Sequence, residues 1–389
     1  MAAPSTVRRT PAEEALIERF GAVRADLPGS AEVAGWREAA FERFAAAGLP
    51  HRRVEAWKYT DLKRLMASAA PVAAPVADLS GVAAMDLLAG VERHRLVFVN
   101  GRFAPELSDG APPEGFPGTG LAEALGAGDK ALADALAAAS APIAEDAAVA
   151  LNTAFLSDGA VIRVAARAAI DKPIEIANVF AGAEAGAATL RHLVVVGADA
   201  SADIVETFAG PDVAYETNAL TALDLGLGAR LGYTRLQAEG GSALHLGTVR
   251  ARIAASANLQ LFNLMIGAAV ARAQFFFAFE GEGGNLDIRG ATLGDDRQHA
   301  DVTLMVDHAV PHCTSTETLK AVLGGEARAV FQGNILVRPH AHQTDARMML
   351  NALLRSETAE FDAKPELEIY ADDVQCAHGA TSGALDENL

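Results

Sequence analysis

Residues 219–266 read ALTALDLGLGARLGYTRLQAEGGSALHLGTVRARIAASANLQLFNLMI, and their texture decides the fold. Four runs, 219–225, 231–236, 243–250 and 258–266, are rich in aliphatic and aromatic residues and are separated by turns bearing Gly, Ser or Asn. Short runs of this kind bounded by turn residues read as strands. The same texture starts near Gly159. The runs 161–164, 174–179, 192–196 and 202–207 come first, and 274–279, 285–292, 302–306, 329–337, 346–354 and 367–371 follow. No amphipathic helix of convincing length lies between them, so a βα alternation is not expected. About fourteen strands exceed what an open twisted sheet usually carries. A large sandwich array or a β-solenoid remains. Coiling is the favoured of the two, because it buries every rung and leaves edges only at its two ends.

The chain upstream is helical. Thr10, Pro11 and Glu13 form an N-cap, a first-turn proline and a capping-box acid ahead of Leu16, Ile17, Phe20 and Val23. A second helix starts near Ser30, carries Val33, Trp36, Ala40, Phe41 and Phe44 on one stripe, and stops at Gly48-Leu49-Pro50. Then come the distinctive Glu55-Ala56-Trp57-Lys58-Tyr59-Thr60, an Ala/Pro/Val linker over 67–79, a short strand at 96–99, a Pro/Gly loop over 105–120 and Ala-rich helices over 121–155. The expected division is an N-terminal helical region (1–90), a transition (91–158), the β core (159–383) and the start of a further helical segment (384–389).

The composition narrows the function. The chain has 389 residues, 51% of them hydrophobic and 21% charged, as a globular protein does. A net charge of −18 argues against nucleic acid or an anionic membrane as the main partner. The first ten residues hold no apolar signal region, and the uncharged stretch 254–271 is broken by Ser256, Asn258, Gln260 and Asn263. Only Cys313 and Cys376 are present, which rules out a disulfide scaffold and suits a reducing cytoplasm. A cluster held by cysteines alone needs four, so this chain cannot bind one unaided. No Gly-rich loop ends in Gly-Lys-Ser or Gly-Lys-Thr, so any ATP chemistry belongs to a partner.

The leading candidate site is Cys376-Ala377-His378-Gly379, at the end of Lys364-Pro365-Glu366-Leu367-Glu368-Ile369-Tyr370-Ala371-Asp372-Asp373-Val374-Gln375. In an extended segment positions i and i+2 face the same way, so Cys376 and His378 aim together. A thiol and an imidazole suit a soft or borderline metal or a sulfur species, but they supply two ligands only. Other groupings have plainer readings. His340 and His342 form an exposed pair beyond Pro339. His308, His312 and Cys313 are close in sequence, but neighbours on a strand diverge. Asp295-Asp296 and Asp372-Asp373 are turn acids, and Trp57 with Tyr59 pins the helices to the next domain.

The stretch 364–383 closely resembles the carboxyl-terminal signature of the SufB/SufD family of iron–sulfur assembly proteins. It has the form found in SufD members, with Cys376-x-His378-Gly379-Ala380-Thr381 where SufB members carry Glu-His-Glu. SufB members also have an upstream cysteine where this chain has Lys364-Pro365-Glu366-Leu367. Glu55–Thr60 resembles the family's amino-terminal signature, and Ala329-Val330-Phe331-Gln332-Gly333-Asn334-Ile335-x-Val337 with Thr344-Asp345 resembles its penultimate coils. The resemblance implies a mainly β protein, a right-handed parallel β-helix with an N-terminal helical region. It further implies a non-catalytic scaffold in a cytoplasmic complex with SufB and the ATPase SufC. Pairing with SufB would run through the end of the β-helix, where His378 and Cys376 fall on residues facing the junction as candidate ligands of iron or a nascent cluster. No cofactor would be held by this chain alone, the cluster being transient and shared with SufB. Family members continue past 386–388 into a helical segment where SufC docks, so that site is expected to be largely missing. Two alternatives stand beside this reading. One is a β-helix carbohydrate lyase or hydrolase using the paired aspartates. The other is a homodimer formed through the end strands when the chain is isolated.

Overall fold

The computed structural model describes residues 9–109 and 119–384. Two helices open the chain, α1 (Pro11–Val23) and α2 (Ala31–Ala47). The capping box forms as expected. The Glu13 amide donates to Thr10 Oγ1 at 3.3 Å, and the Thr10 amide donates to the Glu13 carboxylate at 2.7 Å. That carboxylate also accepts from the Leu49 amide at 2.9 Å and from Lys63 Nζ at 3.0 Å, so one acid ties α1 to the exit of α2. Gly48 ends α2 at φ 75°, a left-handed conformation that glycine adopts without strain. Next come α3 (Leu62–Leu65), β1 (His94–Val99), β2 (Arg102–Phe103), β3 (Thr119–Gly120), α4 (Leu121–Gly126), α5 (Lys130–Ser140) and α6 (Ala147–Ala154).

Among the described residues only strands follow: β4 (Ala160–Val164), β5 (Ile174–Val179), β6 (Ala187–Val196), β7 (Ser201–Ala209), β8 (Glu216–Leu225), β9 (Arg230–Ala238), β10 (Leu244–Ile253), β11 (Asn258–Met265), β12 (Val270–Phe279), β13 (Asn285–Gly294), β14 (His299–His308), β15 (Thr314–Leu323), β16 (Arg328–Val337), β17 (Asp345–Leu354), β18 (Glu360–Ile369) and β19 (Gln375–Ala384). From β6 onward each strand runs parallel to the one two places earlier; Thr314 lies beside Asp345, and Asp345 beside Gln375. From β4 on, the odd strands join β1 and β2 in a ten-stranded sheet and the even strands join β3 in a nine-stranded one, called here the odd and even sheets. The result is a parallel β-solenoid of about eight turns with the helices ahead of it, and the sandwich alternative falls away.

The outline departs from expectation in three places. Thr314–Leu323 was not expected as a strand, because its outward Thr314, Thr316, Thr318 and Lys320 break up the apolar run. The run at 367–371 is the tail of a strand that starts at Glu360 and stops at Ile369; Lys364 and Pro365 mask its beginning. Proline is tolerated there because β18 is the last strand of its sheet. The solenoid also reaches back past residue 159, since β1 pairs in parallel with β5. Of the expected segment 384–389, Ala384 closes β19 and 385–389 lie outside the described residues, as do 110–118 of the expected loop.

Burial changes along the solenoid. All six residues of β5 are buried, because residues 76–107 pack on that face while the odd sheet's inner face meets the core. Helices α2, α4, α5 and α6 cover the first even strands through Val161, Leu193, Leu220 and Ala222. Later strands such as β13 and β15 alternate buried with open positions, as one-sided burial requires. The helices therefore cover the outer face of the first even strands, and among the described residues none covers β18 or β19.

The tube interior is mostly apolar, with a polar knot near its middle. Tyr233 and Thr221 donate to Glu206, and Arg235 lies against His245 with its guanidinium 4.7 Å over the Phe208 ring. Gly247 makes room for it: a Cβ there would fall on the Arg235 guanidinium and within 2.8 Å of His245 Nε2. Gly247→Ala is expected to destabilise by about 1–3 kcal/mol, the usual cost of overpacking. A lowered urea midpoint with an unchanged m-value would register it.

Candidate functional site

The expected motif Glu55–Thr60 forms a strap along the outer face of the even sheet. Trp57, 1% exposed, donates from Nε1 to Asp146 at 3.0 Å, and the Arg272 guanidinium sits 4.0 Å over its ring. Arg272 also pairs with Asp301 and donates to the Ala56 carbonyl at 2.6 Å, while Thr60 donates to Asp301 and lies 2.8 Å from His299 Nε2. Further along, Gln332 Nε2 donates to the Glu55 carbonyl at 3.3 Å and the Glu55 carboxylate pairs with Lys364 on β18. The strap thus pins the helices to the sheet through Trp57, as expected of that residue, and reaches the last even strand.

Strands β18 and β19 end their sheets, so each presents an unpaired row of backbone groups. Around that end Met349 is 46%, Ile369 41% and Tyr370 62% exposed. On β19 the alternation places Cys376 and His378 on the inward face. Cys376 stacks on Ala346 and His378 on Met348, both fully buried interior residues. The two sequence-predicted residues therefore share one face, as their spacing requires. Cys376 is half-buried against the core, and that burial pushes its thiol up, away from the thiolate. His378 is exposed at the mouth of the tube. A protonated thiol and an open imidazole form a pair that must lose a proton from sulfur before holding a metal strongly. Among the described residues no three His, Cys, Asp or Glu side chains converge as a metal ion requires, so the pair by itself remains two ligands.

The other groupings resolve into structure. Asp296 and Asp373 take left-handed φ values of 51° and 57° in turns, which is turn chemistry and gives the paired-acid enzyme reading no support. His340 and His342 lie in the turn between β16 and β17, not on a strand, and His342 Nδ1 donates to the Asp372 carbonyl at 3.0 Å, stacking one turn on the next. Cys313 is a core residue whose thiol donates to the Gly281 and Pro311 carbonyls at 3.5 Å. His308 is buried and lies 3.0 Å from Ser315 Oγ, and burial pushes it down to about 4. A cavity of about 610 Å³, lined by Arg19, Arg102, Phe155 and Asp158, lies at the opposite end from Cys376 and touches none of the terminal residues.

Sequence reading missed Arg272, Asp301 and Glu317. The last of these had a signal: in Thr314–Leu323 the odd positions Ser315, Glu317, Leu319, Ala321 and Leu323 are buried, and an acid among them breaks the pattern.

Fold and site together define a class: a helix-flanked parallel β-solenoid with a thiol and an imidazole on one inward face of its last described rung. Comparison with known proteins gives the class its family. Residues 12–176 match the SufBD protein N-terminal region, and residues 179–389 match the SufBD core domain of SUF system FeS cluster assembly. The chain is 30% identical over 350 residues to the iron–sulfur cluster assembly protein SufD of Escherichia coli, covering 89% of this chain and 79% of that one. It is 28% identical over 363 residues to an iron–sulfur cluster assembly SufBD family protein of Synechocystis, covering 90% and 79%. The chain belongs to the SufB/SufD family of iron–sulfur cluster assembly proteins, with its likeness on the SufD side. No helix among the described residues is long and apolar enough to cross a membrane.

Proposed function

We propose that this chain is a non-catalytic scaffold subunit of the SUF machinery. It pairs with SufB through the end of its solenoid that carries β18 and β19 and helps iron enter a cluster assembling at the shared interface. ATP hydrolysis is supplied by SufC, and the complex works in the cytoplasm. The observation that carries the reading is the terminal rung. Cys376 and His378 face inward on a strand whose outer edge has no partner among the described residues, at the end of the tube away from the helices. An unpaired edge with exposed Ile369 and Tyr370 calls for a cover, and a second solenoid end offers both matching backbone groups and further ligands. Iron is cargo here: an imidazole nitrogen of His378 is a fitting donor for a ferrous ion, with Cys376 as the auxiliary thiol.

The test is co-expression with SufB and SufC. His378→Ala is expected to leave folding and SufB pairing intact, because His378 is exposed, and to cut cluster yield, read by the visible absorbance of the purified complex. Full cluster yield from that variant removes His378 from the account. A homodimer that ignores SufB, seen by light scattering, removes the pairing.

A further inference from the structure

Glu317 is the exception inside the tube. It occupies an inward position of β15, is 0% exposed, and neither carboxylate oxygen has a hydrogen-bond partner. The other buried acids are satisfied. Glu206 takes Thr221 and Tyr233, Glu175 takes Arg93 and Thr207, and Asp301 takes Arg272 and Thr60. A buried carboxyl without partners costs on the order of 1–3 kcal/mol, and one retained in a native fold asks what it is for. Burial, with the Asp287 charge adding a little, pushes this one up to about 8.

Its place in the register is the second observation. Glu317 lies beside Met348, and Met348 beside His378; in the adjacent column Ser315 lies beside Ala346, and Ala346 beside Cys376. All six face inward. At a strand spacing of about 4.8 Å, the Glu317 and His378 backbones stand about 10 Å apart, with the Met348 thioether between them. On the opposite wall is Gly333, where a Cβ would come within 2.7 Å of Met348 Sδ and 2.5 Å of Phe331 Cε1. The absent side chain is what lets the thioether lie across the tube. Ala346 keeps the column between Cys376 and Ser315 narrow in bulk, and His308 bounds it from below through Ser315.

We propose that this end of the tube is a socket for one borderline divalent cation of the iron(II) class, with Cys376 and His378 at its mouth, Met348 on its wall and Glu317 at its floor. The proposal rests on the reading of Cys376 and His378 given above and adds the two inner donors. A carboxylate oxygen, an imidazole nitrogen and two sulfurs match a borderline cation, and the carboxylate with the thiolate balances its two charges. The acidic and imidazole groups do not converge in the free chain. Cation entry draws Glu317 outward and His378 inward along their shared column, and the Glu317 carboxylate gives up no hydrogen bond in moving.

Cobalt(II) titration of the purified full chain tests this, with absorbance for the thiolate–cobalt band and calorimetry for affinity. One cobalt per chain is expected. Glu317→Gln and Met348→Leu should each weaken binding at least tenfold while keeping the thiolate band at saturation, and Cys376→Ser should abolish the band. Met348→Leu conserves volume and Glu317→Gln is isosteric, so both are expected to fold; circular dichroism checks this. If both inner variants bind as the unmodified chain does while His378→Ala and Cys376→Ser fail, the cation sits at the mouth only. The socket is then overturned and the scaffold reading stands. If the unmodified chain takes no cobalt, or all four variants bind alike, the socket falls and the ligand role of Cys376 and His378 falls with it.

Discussion

Glu317→Gln is expected to make the metal-free protein more stable at pH 7, not less. The Glu317 carboxyl ionises near 4.5 when unfolded, but burial without partners holds its proton up to about 8 in the native state. Between those values the native state binds one proton more than the unfolded state, so stability falls as pH rises through this window. The loss is absent below about pH 4.5 and complete above about pH 8. At pH 7 it amounts to about 3 kcal/mol, at about 1.4 kcal/mol per pH unit. Glutamine has the same shape and no charge to bury, so the variant should track the parent at pH 4 and exceed it progressively to pH 8. Denaturant unfolding across that range is the measurement. Parallel stability curves would mean that Glu317 finds a partner in solution that the fold does not display. A residue that lowers stability at working pH is expected where chemistry, not folding, keeps it.

Arg272→Ala should be the most damaging single change in the strap. Arg272 is fully buried, pairs with the fully buried Asp301, holds the Ala56 carbonyl and stacks on Trp57. Removing it strands the Asp301 charge inside the protein, and breaking a buried pair in this way costs about 3–5 kcal/mol. It also releases the segment that carries Arg52, Arg53 and Lys58, so limited trypsin digestion should cut there first. The double variant Arg272→Met with Asp301→Leu should recover much of the loss, because no charge is then left unpaired. A single variant as stable and as protease-resistant as the parent would show that the strap is held by Trp57 packing alone.

Most of the fold is legible in the sequence because its signals are local. Thr10, Pro11, Glu13 and Gly48 mark helix ends through bonds that span a few residues. The apolar runs mark strands because burial of one face imposes a period of two. The same period places Cys376 and His378 on one face from their spacing alone. It fails where polar residues occupy a strand for reasons outside that strand. Thr314–Leu323 reads as loop because its outward threonines face solvent, and Glu360–Ile369 because Lys364 reaches across to Glu55.

The residue pattern by itself settled that strands follow helices and, for the strands it found, which side chains share a face; it favoured coiling over a sandwich without deciding between them. Only the tertiary structure decided which inward residues share a column. That is a matter of register between coils, set by the lengths of turns and by packing between residues some thirty positions apart, and no period within one strand encodes it. Glu317 stands under Met348 and His378, with Gly333 opposite, because three coils close at that register. The same closure brings Cys376 and His378 over Ala346 and Met348 on the last described rung.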